Sequence, residues 1–444
     1  MLSRHVFPRY TKAELPIAVG GDGPFIIDAN GHRYLDACGG AAVSCLGHCD
    51  AHLTSVLRQQ AEAMTYAHTS FFTSEPAERL AGRLANLAPG DLNRVYFVSG
   101  GSEAMEAALK LARQYYLEKG EPKRANIIAR WQSYHGNTLG ALSAGGNRWR
   151  RAQFEPMLSP AMHHVSQCNA YRGKHAGETD DAYGDRLAAE LAAKIEDLGP
   201  ATVAAFVAEP VVGATMGAVP PVDGYFRKMK AVCERYGVLM ILDEVMCGMG
   251  RTGTLFACEQ DGVDPDMIAI AKGLGAGAQP IGALMVSDRI YDAVENGTGF
   301  FQHGHTYLGH PMACAVGNAV LDRLIDDGVL ERVTPMGQKL RDALSARFGN
   351  HPHVGNIRGR GLFIGLEIVK DRGTKQPFAS SLGIATKIKK RAMAERLMCY
   401  PMSGTIDGQA GDHILLAPPF IIEDAHIAMI VDRLETAITD SFPH

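Results

Sequence analysis

The chain has 444 residues, of which 46% are hydrophobic and 21% charged, and 44 Lys+Arg against 48 Asp+Glu leave a net charge of −4. That composition excludes a disordered or fibrous chain. It also lacks the basic excess that draws a protein onto nucleic acid or an anionic membrane. In chain order, Phe25-Ile26-Ile27-Asp28-Ala29-Asn30-Gly31 predicts a strand, a turn and a strand. Short apolar runs follow at Arg94–Ser99, Asn126–Ala129, Val203–Ala208, Val238–Leu242, Met267–Ala271 and Ile281–Val286. Near-continuous apolar strands of this kind are buried on both faces, as in a mainly parallel sheet covered by helices, so the fold class is α/β. The clearest helix is Ser102–Glu118, with Ala104, Ala107, Ala108, Leu111 and Ala112 at helical spacing. After about residue 325 the chain turns helical, then offers strands in Gly361–Val369 and near His413–Leu416.

The nine cysteines are scattered without a CxxC pair, which predicts reduced thiols and a cytoplasmic protein. Cys45, His48 and Cys49 are not followed by a second ligand pair at zinc-site spacing, so no metal is expected. Nowhere do 18 apolar residues run together, and Met1–Tyr10 lacks an apolar core of signal-peptide length; no membrane partner is expected.

The residues with chemical potential sit at strand ends. Ser99-Gly100-Gly101-Ser102-Glu103-Ala104 ends a strand and opens a helix; its glycines and free helix amides suit a phosphate, or the segment is a capped tight turn. Tyr134-His135-Gly136 follows another strand, and Tyr134 either stacks on a planar ligand or fills the edge of the core. Glu209 and Asp243 close two apparently parallel strands, at the edge where open α/β sheets bind ligands. Lys272 closes the run Met267–Ala271 and precedes Gly273-Leu274-Gly275-Ala276-Gly277-Ala278. A lysine ending a buried strand is a poor choice for stability and a good one for a desolvated amine nucleophile.

Two explanations compete for Lys272. Gly273, Gly275 and Ala278 formally match a dinucleotide fingerprint, but Pro280 and the apolar run Ile281–Val286 return the chain to a strand where that fingerprint needs a helix. A Schiff-base lysine on pyridoxal 5′-phosphate needs a phosphate cradle, an aromatic stack, an acid at the pyridine nitrogen and a lysine; residues able to serve as all four occur here in that order.

On these motifs, together with Glu209-Pro210-Val211, Leu242-Asp243-Glu244-Val245, Gly250-Arg251-Thr252-Gly253, His305-Thr306-Tyr307, Gly309-His310-Pro311 and Arg358-Gly359-Arg360-Gly361-Leu362, the chain resembles the class III (ω-) aminotransferases of pyridoxal-phosphate fold type I. The resemblance implies a large cofactor-binding domain over residues 61–325, with residues 1–60 and 326–444 joining in a smaller α+β domain. It implies that Lys272 forms the Schiff base and moves the proton, that Gly101 and Ser102 hold the phosphate, and that Tyr134 and Val245 flank the ring. By the same resemblance Asp243 pairs with the pyridine nitrogen, His135 and Glu209 complete the cofactor site, and Thr306 reaches the phosphate of a neighbouring subunit in a homodimer or tetramer. The partners it implies are an amine or ω-amino acid donor and a 2-oxo acid acceptor, pyruvate or 2-oxoglutarate. An aminomutase or a decarboxylating transaminase would share the same parts. A nucleotide-dependent oxidoreductase and a non-catalytic pyridoxal-phosphate-binding protein are the readings outside that class.

Many amine:pyruvate members place an arginine before a Pro-Pro pair to bind the acceptor's carboxylate. Here the pair is Pro418-Pro419, and no Arg or Lys occurs from Leu397 to Asp432. Arg148, Arg150, Arg151, Arg358 and Arg360 are the alternative cations, with a solvated charge run the plain reading of the first three. The run Ala41-Ala42-Val43-Ser44-Cys45-Leu46 is small where relatives often place a bulky aromatic, which predicts a roomier donor pocket.

Overall fold

The computed structural model describes residues 5–442; residues 1–4 of the N-terminal segment and the last two residues, 443–444, lie outside the described residues. The first strands are β1 (Ala18–Asp22), β2 (Phe25–Asp28) and β3 (Arg33–Asp36), an antiparallel meander. The next seven are β4 (Arg94–Val98), β5 (Asn126–Arg130), β6 (Met162–Val165), β7 (Val203–Ala208), β8 (Leu239–Asp243), β9 (Met267–Ile270) and β10 (Gly282–Val286). They form one sheet in the order β4-β10-β9-β8-β7-β5-β6. The last are β11 (Val354–Arg360), β12 (Phe363–Ile368), β13 (Leu397–Met398), β14 (Tyr400–Ser403) and β15 (Asp412–Leu416).

Every residue of β7, β8, β9 and β10 is buried. This is why these strands are uninterrupted apolar runs rather than alternating ones: both faces carry helices. The helix α1 (Gly101–Glu118) buries Ala104, Ala107, Ala108, Leu111 and Ala112 and packs on β9 and β10. Small side chains on that stripe let the helix lie close to the sheet.

The sheet is mixed rather than wholly parallel. Pairs β5–β6, β5–β7, β7–β8 and β8–β9 are parallel, whereas β10 runs antiparallel to both β9 and β4. The chain between β9 and β10 is too short for a crossover helix, which a parallel connection requires. It makes one tight turn at Lys272–Leu274 and returns. Consequently the start of β10 lies at the same sheet edge as the ends of β4, β5, β7, β8 and β9.

Segments far apart in sequence meet at the edge of the first sheet, where β13 joins β3 in parallel through Leu397–Leu35 and Met398–Asp36. A second antiparallel sheet, β11-β12-β15-β14, completes the C-terminal region. Phe206 is the largest side chain of β7 and is wholly buried. Phe206→Ala is therefore expected to lower unfolding stability by roughly 3–5 kcal/mol, since the dense sheet–helix layer cannot collapse around the gap. Chemical denaturation checks this; an unchanged midpoint contradicts the packing.

Candidate active site

The sheet order sets the geometry of the site. Strands β7, β8 and β9 are adjacent, so Glu209, Asp243 and Lys272 leave three neighbouring carboxyl ends side by side. The loop after β5 brings Tyr134 and His135, and the turn after β4 brings Gly101 and Ser102. A cavity of about 230 Å³ lies between them, lined by Gly101, Ser102, Tyr134, His135, Glu209, Asp243, Val245 and Lys272. Thr306 is exposed and outside this cavity; its carbonyl accepts a hydrogen bond from the Tyr66 hydroxyl at 2.8 Å.

Each acid is held from behind. Asp243 shares a 2.8 Å hydrogen bond through Oδ2 with His135 Nδ1 and accepts the Val245 amide on Oδ1 at 3.0 Å. Its carboxylate plane is thereby fixed. The other ring nitrogen of His135, Nε2, is buried without a partner among the described residues. Glu209 accepts the Tyr134 amide on Oε1 at 3.1 Å and the Gly213 amide on Oε2 at 2.9 Å, so it anchors the tyrosine loop. Burial pushes the Glu209 carboxyl above the ordinary carboxylate range.

Lys272 makes no side-chain hydrogen bond or ion pair among the described residues. Burial drives its ammonium below the ordinary lysine value, with Asp243 and Glu209 pulling the other way. Its backbone is left-handed, φ +46°, a conformation that costs an L-residue roughly 1–2 kcal/mol. The glycines after it serve the return of the chain. A Cβ on Gly275 would come within 2.2 Å of the Gln279 carbonyl, and no helix opens there to receive a pyrophosphate.

Pyridoxal phosphate fits this cavity. The turn Ser99–Ser102 is a cradle that a side chain would fill: a Cβ on Gly101 would meet Val245 Cγ1 at 2.6 Å, and one on Gly136 would meet Ser102 Oγ at 2.6 Å. No side chain caps the start of α1 at Gly100, which leaves first-turn amides at the cavity wall for an anion. A buried acid, an aromatic and a partnerless lysine complete the donor set.

The arginines sort themselves by partner. Arg151 is buried and donates to the Ser143 and Gly145 carbonyls at 2.6 and 3.0 Å. Arg358 donates to the Met216 and Gly217 carbonyls and pairs with Glu367, and Arg360 pairs with Asp261; both are structural. Arg148 lies over the Trp131 ring. Arg150 lies 4.7 Å over the Tyr134 ring, and its guanidinium meets no carboxylate among the described residues.

Sequence reasoning missed Met246, Gln279, Pro280 and Ile281, which also line the cavity. The last three precede β10, and only its antiparallel direction brings them to this edge. Val43 lines it too, which brings the small-residue run at 41–46 to the site.

The family model for the class-III aminotransferases matches residues 8–438. The chain belongs to this family. An uncharacterized aminotransferase of Schizosaccharomyces pombe is 46% identical over 426 residues, covering 96% of this chain and 93% of that one. An (S)-enantioselective omega-transaminase from Thermomicrobium roseum superposes with a TM-score of 0.92 at 37% identity, over 99% of this chain and 96% of that one. A PMP-bound aminotransferase from Vibrio fluvialis gives 0.91 at 31% identity, over 98% and 96%. This aminotransferase is therefore a transaminase of fold type I, and its cofactor is pyridoxal phosphate.

The electrostatics of the aminotransferase site predict a pH dependence. An amine whose pKa is lowered is neutral, and nucleophilic, at pH values where a free lysine is still charged. The rate of cofactor uptake by the apoenzyme should rise with pH through a midpoint below the ordinary lysine value of 10.5. Asp243→Asn removes a charge that favours the ammonium and should move that midpoint lower. A midpoint at or above 10.5 contradicts the assignment.

Proposed function

We propose that this aminotransferase moves an amino group from an amine or ω-amino acid to a 2-oxo acid, pyruvate or 2-oxoglutarate, in two half-reactions of ping-pong type. The observation that carries this reading is the buried, partnerless amine of Lys272 beside the fixed carboxylate of Asp243. When bound, the cofactor supplies an electron sink for the carbanion formed at the donor carbon. Asp243, oriented by His135 and the Val245 amide, holds the pyridine nitrogen in its protonated form. Gly101 and Ser102 would hold the phosphate and Tyr134 and Val245 would flank the ring, while Glu209 fixes the Tyr134 loop.

Between turnovers Lys272 is the covalent anchor. With the cofactor bound, Lys272 Nζ would be the base that takes the proton from the donor carbon and holds it for return. Burial supports this role, because Nζ must be neutral to accept the proton. The second half-reaction runs the same proton the other way on the acceptor.

The assembly in this reading is a homodimer with shared sites, in which Thr306 meets the phosphate held by the other subunit. Two features support it: Thr306 lies outside its own chain's cavity, and Phe71, Phe72 and Tyr307 are respectively 79%, 69% and 60% exposed, more apolar surface than a monomer usually leaves open. In this reading residues 61–325 are the large domain and 1–60 with 326–444 the small one, of which 1–4 and 443–444 lie outside the described residues; the β3–β13 pairing supports the joining. We place the enzyme in the cytoplasm on its nine unpaired thiols; among the described residues no helix is long and apolar enough to cross a membrane.

Mixing holoenzyme with a panel of amines and ω-amino acids, without acceptor, should bleach the cofactor band in a single turnover, and adding a 2-oxo acid should restore it. Lys272→Ala should slow this by roughly 10²-fold or more, the usual contribution of a positioned acid–base group; full turnover in that variant contradicts the mechanism. Val43→Trp should narrow the donor range, cutting kcat/KM for bulky amines about tenfold more than for short ones. Equal losses would show that the 41–46 run does not shape the donor pocket.

A further inference from the structure

Resting on the transaminase reading above, we propose that Arg150 holds a substrate carboxylate that lies several bonds from the reacting carbon, as in an ω-amino acid or the distal end of a dicarboxylic 2-oxo acid. The need for such a cation is set by the sequence: from Leu397 to Asp432, the segment that carries Pro418-Pro419, there is no Arg or Lys. The other arginines near the site are committed. Arg151 is buried on backbone carbonyls, Arg358 and Arg360 are paired with Glu367 and Asp261, and Arg148 is exposed over Trp131 with Asp407 as an acidic neighbour.

Arg150 has no carbonyl or carboxylate partner for its guanidinium among the described residues. It sits on the short helix α2 (Arg148–Ala152), which is fixed at its start by Asn147, whose side chain accepts the Arg150 amide at 3.1 Å. The buried guanidinium of Arg151 pins the same turn from inside. The Arg150 backbone is therefore rigid, while the residue is half-buried and its guanidinium, among the described residues, meets only the face of Tyr134, 4.7 Å from the ring centroid. Its charge reaches the site: burial raises the Tyr134 phenol and Arg150 opposes that rise, and burial lowers the Lys272 ammonium with Arg150 adding to it. Arg9, on the N-terminal segment, acts on the same phenol, so two arginines are near Tyr134, and the Arg150 guanidinium meets no carboxylate among the described residues.

A cation resting on an aromatic face is weakly held, whereas a carboxylate can meet the planar guanidinium fork with two parallel hydrogen bonds. Arg150 can exchange the first contact for the second with little movement of its backbone. Arg150 does not itself line the cavity at Lys272, whereas Tyr134 does. A carboxylate held by Arg150 is therefore displaced toward the tyrosine's outer side from the carbon that Lys272 deprotonates. That displacement selects remote carboxylates.

The test compares matched substrates in the holoenzyme: 4-aminobutanoate against butylamine as donor, and 2-oxoglutarate against pyruvate as acceptor. In wild type each carboxylate-bearing partner should react at least as well as its match. Arg150→Gln should lower the ratio of kcat/KM between the members of a pair by roughly 10- to 100-fold, the span of a lost charge-assisted contact, mainly through KM. Arg150→Lys should recover part of the ratio, and Arg148→Gln should leave it within about twofold. A fall confined to the donor pair identifies the ω-amino acid as the ligand, and one confined to the acceptor pair identifies the dicarboxylate. An unchanged ratio in Arg150→Gln, in an enzyme that transaminates, overturns the assignment of Arg150 alone. A wild type that bleaches with no donor overturns the transaminase reading and this inference with it.

Discussion

The site depends on a single electrostatic constraint: a lysine amine removed from water at the end of a buried strand, beside carboxylates that cannot move to neutralise it. Burying an unpaired ammonium is unfavourable, and burial lowers the Lys272 ammonium below its ordinary value while Asp243 and Glu209 pull the other way. Asp243 could have paired with it. Instead the two make no hydrogen bond among the described residues; His135 Nδ1 and the Val245 amide fix the Asp243 carboxylate and leave lone pairs for a ligand, and Glu209 accepts two backbone amides. In the proposed reading a ligand lies between these acids and the lysine, and the lowered ammonium favours Nζ as nucleophile and base.

The fold makes this arrangement possible by topology more than by individual contacts. Strands β7, β8 and β9 are parallel neighbours, so the residues that follow them emerge at one height along one edge. The short return after Lys272 sends β10 back antiparallel and adds Gln279, Pro280 and Ile281 to the same cavity. That return also explains the left-handed backbone at Lys272 and the glycines beside it. The strain is borne where the lysine leaves the strand.

Much of this was legible in the sequence, and the reasons are physical. Continuous apolar runs ending in Glu209, Asp243 and Lys272 stand out because a charge closing a doubly buried strand has few structural uses. The spacing of alanines in α1 likewise declares a helix pressed against a sheet. Other features left no such trace. The strand β6, Met162-His163-His164-Val165, lies at the sheet edge with half-buried residues, so its two histidines hide the apolar signal. The strand β11 carries Asn356, Arg358 and Arg360, whose charges are satisfied by Glu367, Asp261 and backbone carbonyls from elsewhere. The direction of β10 is set by loop length and hydrogen-bond pairing, and no local pattern encodes it. Arg150 read as part of an exposed basic run because nothing in sequence reveals that Tyr134 lies beneath it while its neighbours are engaged.

The central claim is that one amine, Lys272 Nζ, carries the cofactor. Reduction of fully loaded enzyme with borohydride, followed by peptide mapping, should place a single pyridoxyl label on the peptide containing Lys272. A label on any other lysine, or an unmodified Lys272 peptide from material whose cofactor band has been lost on reduction, would contradict the account.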